Sequence, residues 1–210
     1  MVRSRLPAPP ARVVELGCGP QGGFVPMLRS GGYEAMGIDP KAPAGADYRR
    51  VAFEEVELVE KVDAVVASTS LHHVLDPTEV IERVANTLAR GGTLVVVEWA
   101  WEEFDEATAR WCFQRLGPDG EAGWLHRRRD EWLASGKPWS IYLRDWTQKE
   151  QLHAADTLLR LLDERFDREH LGHGAYFFPD LAQTSEEGER AAIEAGQIRA
   201  TRVDYVGRLR

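Results

Sequence analysis

VVELGCGPQGGF, Val13 to Phe24, is the stretch from which the fold is read. Its first residues form a short apolar run of buried-strand type, which passes without a linker into a glycine turn that opens a helix. Glycine there lets a ligand approach the backbone with no Cβ in the way. Working outward, short apolar runs recur at Ala35 to Ile38, Tyr48 to Phe53, Val62 to Ala67 and Thr93 to Val97. Ahead of the last of these, Pro77 to Arg90 sets Val80, Ile81, Val84, Ala85 and Leu88 on one helical face. Asp76 is placed to cap that helix, Pro77 suits its first turn, and Gly91 and Gly92 are placed to stop it. Strands this apolar, alternating with helices, predict a parallel sheet covered on both faces.

After Glu98 the pattern changes to several helices broken at Gly117-Pro118, Gly136 and Pro138, with no strand signal until about Gly172. Two strand-like runs, Ala175 to Phe178 and Arg199 to Val206, then bracket a polar helical segment from Thr184 to Ala195. The expected architecture is α/β: a doubly wound, mostly parallel seven-stranded sheet with an antiparallel final strand pair and a helical insert after the fifth strand. We read residues 1–210 as a single domain, with 12–98 as the ligand-binding core, 99–173 as the insert or lid, and 174–208 as the final pair. Only about a dozen residues precede Val13, so the insert is the segment expected to keep water from the site.

A formal net charge of −8 and a pI near 5.3 give no general attraction to nucleic acid or to anionic membranes, which favours a small-molecule partner. Two cysteines, a start (MVRSRLPAPP) without an apolar core, and no apolar run near the roughly 20 residues of a membrane span lead us to expect a cytoplasmic protein. The sequence sets no oligomeric state.

Twenty residues after Gly19, Asp39 ends the second apolar run, where a carboxylate can accept both hydroxyls of an adenosine ribose at the switch point of the sheet. Gly17, Gly19 and Gly22 also satisfy the dinucleotide pattern G-x-G-x-x-G, so a nicotinamide-dependent (NAD) oxidoreductase is one alternative. Three features favour a sulfonium cofactor: Glu15 two residues before the first glycine, Pro20 withholding an N–H where a pyrophosphate wants donors, and the lack of a second mononucleotide half.

These motifs resemble the class I S-adenosylmethionine-dependent methyltransferase superfamily, particularly its small-molecule members. ELGCG at Glu15 to Gly19 matches the acidic-x-Gly-x-Gly motif, GIDP at Gly37 to Pro40 the acidic end of the second strand, VDAVVASTSLHHV at Val62 to Val74 the fourth strand and its loop, and LARGGTLVVVE at Leu88 to Glu98 the fifth strand. The family's frequent third glycine is Gln21 here. The resemblance implies S-adenosylmethionine as cofactor and S-adenosylhomocysteine as product. It places Glu15, Gly17, Cys18 and Gly19 along the methionine portion, Asp39 on the ribose, Phe53, Glu54 and Glu55 near the adenine, and Ser68 and Thr69 at the cofactor's inner edge. A methyltransferase-like domain that binds the cofactor without catalysis is the other alternative.

Direct in-line transfer needs no enzyme nucleophile, so Cys18 reads as a small side chain in a crowded turn. His72 and His73, just past the fourth strand, are the candidate bases, because an imidazole suits proton transfer near neutrality. The loop STSLHH is not the Asn-Pro-Pro-aromatic motif of amino-group methylating enzymes, and no aspartate stands at Ala67 or Ser68 for a magnesium-dependent reaction. No catalytic metal is therefore expected, and His170 and His173 lack partners at ligand spacing. All seven tryptophans follow the fifth strand; Trp99 and Trp101 lead them as candidates for a pocket that holds an apolar or aromatic acceptor. Arg127 to Arg129, beside Asp130 and Glu131, read as a solvated helix face.

Overall fold

The computed structural model describes residues 2–56, 58, 60–118 and 123–210. Seven strands form one sheet: β1 (Arg12–Leu16), β2 (Glu34–Ile38), β3 (Tyr48–Arg49), β4 (Val62–Ser68), β5 (Leu88–Trp99), β6 (Phe166–Gly174) and β7 (Arg202–Leu209). Their order is β3-β2-β1-β4-β5-β7-β6. The first five run parallel and the β5-β7-β6 pairs antiparallel. Register brings the carboxyl ends level: Leu16 pairs with Ile38 on one side and with Ala67 on the other, and Ser68 pairs with Val97. Because the chain leaves β1 for β2 on one side and β4 on the other, a crevice opens at the carboxyl ends of β1 and β4.

The chain divides into two compact units. One comprises residues 1–98, 155–172 and 203–210; the other comprises 99–154 and 173–202. In the first, successive strand residues feed opposite faces. Val14, Leu16, Val65, Ala67, Leu94 and Val96 pack into one apolar cluster, and Val13, Ala35, Ala64, Val66 and Val95 into another. Both faces are thus buried, which is why the strands read as continuous apolar runs. Helix α1 (Val25–Ser30) follows the glycine turn, and α2 (Pro77–Thr87) buries Val80, Ile81 and Val84. The Asp76 carboxylate caps α2, accepting the amides of Thr78 at 2.8 Å and Glu79 at 3.2 Å. Helix α2 stops at Thr87, not Arg90, because Leu88 has already joined β5 opposite Val62.

The second unit carries α3 (Glu106–Phe113), α4 (Trp124–Ser135) and α5 (Trp139–Lys149), which share an aromatic core, together with α7 (Glu186–Glu194). There Phe104 meets Trp139 edge-on at 5.0 Å between centroids, and the Trp139 indole N–H donates to the Phe104 carbonyl at 2.6 Å. Glu189 of α7 is fully buried, and its carboxylate accepts the amides of Tyr176, Phe177 and Phe178 at 2.8, 3.1 and 2.7 Å.

That arrangement corrects the expected strand at Ala175 to Phe178. Its amides go to Glu189 rather than to a neighbouring strand, and Phe177 is buried among the aromatics. The strand lies just before it, in β6. Helix α6 (Ala155–Arg165), placed in the insert by sequence, belongs to the first unit, where Leu158 and Leu162 join the sheet's core. The third run forms a strand only over Tyr48–Arg49 and gives way to a short 3-10 turn at Phe53–Glu55. Residues 119–122 of the expected insert lie outside the described residues. Among the described residues no helix is long and apolar enough to cross a membrane.

Candidate active site

The glycine turn leaves β1 with Gly17 at φ +76° and Gly19 at φ +62°. The Gly17 amide donates to the Ile38 carbonyl at 2.8 Å, holding the turn against the end of β2. A side chain at Gly17 has no room, since a Cβ there would fall 2.2 Å from the Ser70 Cβ. Ser70 is brought in by a kink at Thr69, a non-glycine residue at φ +48° whose amide donates to the Val97 carbonyl at 2.7 Å. The Ser70 hydroxyl then donates to the Leu16 carbonyl at 3.1 Å.

Beneath the turn sits Glu15, 1% exposed, accepting the Phe24 amide at 2.7 Å. Burial pushes its pKa up to about 7, although the amides of Phe24 and Val25 pull the other way. Cys18 is buried against Gly37, where burial and the nearby Glu15 and Asp39 carboxylates push its thiol up to about 11. At neutral pH it is a protonated packing group and not a nucleophile.

A cavity of about 640 Å³ opens at this edge, within the first unit. Its wall runs from Leu16 through Gln21, takes in Asp39 and Lys41, and includes Ala52 to Glu54, Thr69 and Ser70, and His73 to Leu75. Asp39 accepts the Gly19 amide on one oxygen at 3.0 Å and the Lys41 amide on the other at 2.6 Å. Each oxygen keeps a lone pair for a ligand hydroxyl. A Cβ at Gly19 would meet no protein atom within 4 Å.

The two histidines take different places. His73 is exposed on the cavity wall. His72 is 4% exposed, with Nδ1 at 2.5 Å from a carboxylate oxygen of Glu98. The other Glu98 oxygen accepts the amides of Leu71 at 2.9 Å and His72 at 3.4 Å. The His72 and His73 rings lie 4.1 Å apart between centroids.

The sequence profile of the Methyltransferase domain family matches residues 2–167. The chain belongs to the class I S-adenosylmethionine-dependent methyltransferases. Ubiquinone biosynthesis O-methyltransferase of Bradyrhizobium diazoefficiens is 29% identical over 136 residues, covering 58% of this chain and 51% of that protein. The enzyme of the same name from Rhodopseudomonas palustris is 28% identical over the same length. The chain thus spans about half the length of the curated relatives it matches. Among solved structures, an S-adenosylmethionine-dependent methyltransferase from Mesorhizobium loti is similar at a TM-score of 0.59 and 22% identity, covering 99% of this chain and 95% of that one. The N-methyltransferase NodS of Bradyrhizobium japonicum, bound to S-adenosylhomocysteine, gives 0.56 and 16%, covering 99% and 83%.

Of the residues that the methyltransferase motifs single out, Gly17, Cys18, Gly19, Asp39, Phe53, Glu54, Thr69 and His73 share the cavity wall. Glu15 lies behind that wall on the start of α1, Glu55 is exposed beside it, Ser68 remains on β4, and His72 is buried with Glu98. Trp99 is buried in the aromatic core of the second unit, stacked on Tyr176 at 5.9 Å. Trp101 is half-buried there and donates its indole N–H to the His153 carbonyl at 3.1 Å. Sequence reasoning missed Ser70 and Glu98 as site residues. Glu98 carried a signal, a charge directly after the apolar run Thr93 to Val97; Ser70 carried none, since only the Thr69 kink brings it to Gly17. Among the described residues no group of three or more His, Cys, Asp or Glu side chains is placed to hold a metal ion.

Proposed function

We propose that this chain catalyses methyl transfer from S-adenosylmethionine to a small, apolar or aromatic molecule. The observation that carries the reading is the cavity at the switch point of the sheet, whose wall combines an open glycine turn with a carboxylate that retains acceptor capacity. Its donor set fits the cofactor. Asp39 would take the ribose hydroxyls, Phe53 and Ala52 would flank the adenine, and Gly17 to Gly19 would leave room for the methionine portion. When bound, S-adenosylmethionine supplies a methyl group already activated as a sulfonium. The chain's own tasks are to orient the acceptor, exclude water and receive a proton. His73, on the cavity wall, is the group for that proton. The relatives matched over about half their length are named O-methyltransferase, which supports an oxygen acceptor.

Calorimetric titration with S-adenosylhomocysteine tests the reading. Binding is expected, and Asp39→Ala should weaken it about 10- to 100-fold, as charge-assisted bonds worth about 1.5–3 kcal/mol are lost. Preferential binding of NAD would replace the reading with a dinucleotide enzyme.

A further inference from the structure

We propose that the buried Glu98–His72 pair is a positioning device that holds His73 at the cavity wall as proton acceptor for a hydroxyl group, an inference that rests on the methyltransferase reading. Glu98 is the penultimate residue of β5 and only 2% exposed, and its partners named above lie in one loop: the amides of Leu71 and His72 and the His72 ring. A carboxylate facing Nδ1 at 2.5 Å fixes the proton on that nitrogen and locks the ring's orientation. The locked ring is the surface against which His73 lies, 4.1 Å away. Exposed side chains ordinarily sample several rotamers. Here the exposed base is backed by a ring that two short segments of the fold hold in place.

Such a support points to the acceptor's chemistry. An amine attacks through a free lone pair and sheds its proton to water afterwards. A hydroxyl must lose its proton as its oxygen bonds to carbon, so a base is needed at that moment. The proton passes from the hydroxyl to a ring nitrogen of His73, the O–H bonding pair stays on oxygen, and exposure of His73 lets the proton leave to solvent.

The experiment uses the full chain, 15N-labelled at histidine, as wild type, Glu98→Gln, His72→Asn and His73→Ala. The Asn side chain can keep a bond to Glu98 while removing the ring under His73, which guards against a Glu98 variant that fails to fold. Wild type should show a far-downfield Nδ1–H resonance from His72 that Glu98→Gln abolishes. The His73 ring signals should move in both Glu98→Gln and His72→Asn. Unchanged His73 signals and an unchanged His73 titration curve in both variants would overturn the proposal. With S-adenosylmethionine and 3,4-dihydroxybenzoate as a phenolic probe, Glu98→Gln should lower kcat about 10- to 100-fold and leave the KM for S-adenosylmethionine within about twofold. It should add no further loss in a His73→Ala background, because the pair acts through His73. Additive loss would make the pair purely structural, and methylation of 4-aminobenzoate but not of the phenol would overturn the hydroxyl assignment. Absence of S-adenosylhomocysteine binding by wild type would defeat the methyltransferase reading instead, while the imidazole signals still decide the positioning claim.

Discussion

At Gly17 and Gly19 the same substitution has two different consequences. Alanine at Gly17 forces its Cβ against Ser70 and takes φ +76°, so Gly17→Ala should lower the melting temperature and abolish S-adenosylhomocysteine binding together. Alanine at Gly19 meets no protein atom and carries only the strain of φ +62°. Gly19→Ala should therefore cost about 1 kcal/mol of stability yet reduce affinity sharply, since its methyl group would occupy space in the proposed cofactor cavity. Parallel melts and titrations separate the two. Glu15 makes a pH-dependent prediction. Its folded pKa of about 7 lies above the unfolded value, so folding is disfavoured progressively as pH rises between about 4.5 and 7. The burden is absent below that window and complete above it, of the order of 3 kcal/mol at most. Glu15→Gln keeps an acceptor for the Phe24 amide and removes the charge. It should stabilise the protein more at pH 8 than at pH 5; equal effects at both would mean that Glu15 titrates like an ordinary carboxylate.

Glu189 shows how one side chain on one helix sets the path of a distant segment. Three amides of residues 176–178 depend on its carboxylate. Glu189→Ala strands three partly or fully buried donors and should cost at least about 3 kcal/mol in chemical denaturation, with Glu189→Gln intermediate. A loss under 1 kcal/mol would show that water or other groups satisfy the loop. The same carboxylate explains what the sequence could and could not tell. Tyr176, Phe177 and Phe178 have strand-like composition, but a backbone committed to a carboxylate cannot join a ladder. Conversely, β6 reads Phe-Asp-Arg-Glu-His-Leu-Gly-His-Gly and buries only Phe166, because it is the sheet's outer strand and its charges guard an open edge. Strands β1, β2, β4 and β5 were legible since both their faces are buried, and α2 was legible since its cap and its apolar face are local. The glycine turn and Asp39 were legible for the same reason: their geometry depends on the ends of two adjacent strands. The Glu98–His72 bond links residues 26 apart through tertiary structure, and no local pattern encodes it.

The seven tryptophans all fall in the second compact unit, whereas every residue of the proposed cofactor cavity falls in the first. Tryptophan emission is therefore a probe of one unit, and cofactor binding at the proposed site would perturb the other. The chain passes between the units at 98/99, 154/155, 172/173 and 202/203, and three of these crossings lie inside strands β5, β6 and β7. A unit whose sequence is interrupted in this way cannot unravel without pulling on strands that continue into the sheet, so the two should unfold in one cooperative transition. S-adenosylhomocysteine at about 100 times its dissociation constant adds about 2.7 kcal/mol to the native state. For a chain of this length that corresponds to a rise of about 5–10 °C in the melting temperature. With one transition, the midpoint seen by tryptophan emission rises by the same amount as the midpoint seen by far-ultraviolet circular dichroism. A tryptophan midpoint that stays fixed while the circular dichroism midpoint rises would show instead that the aromatic unit melts on its own, with the shared strands fraying at the crossings.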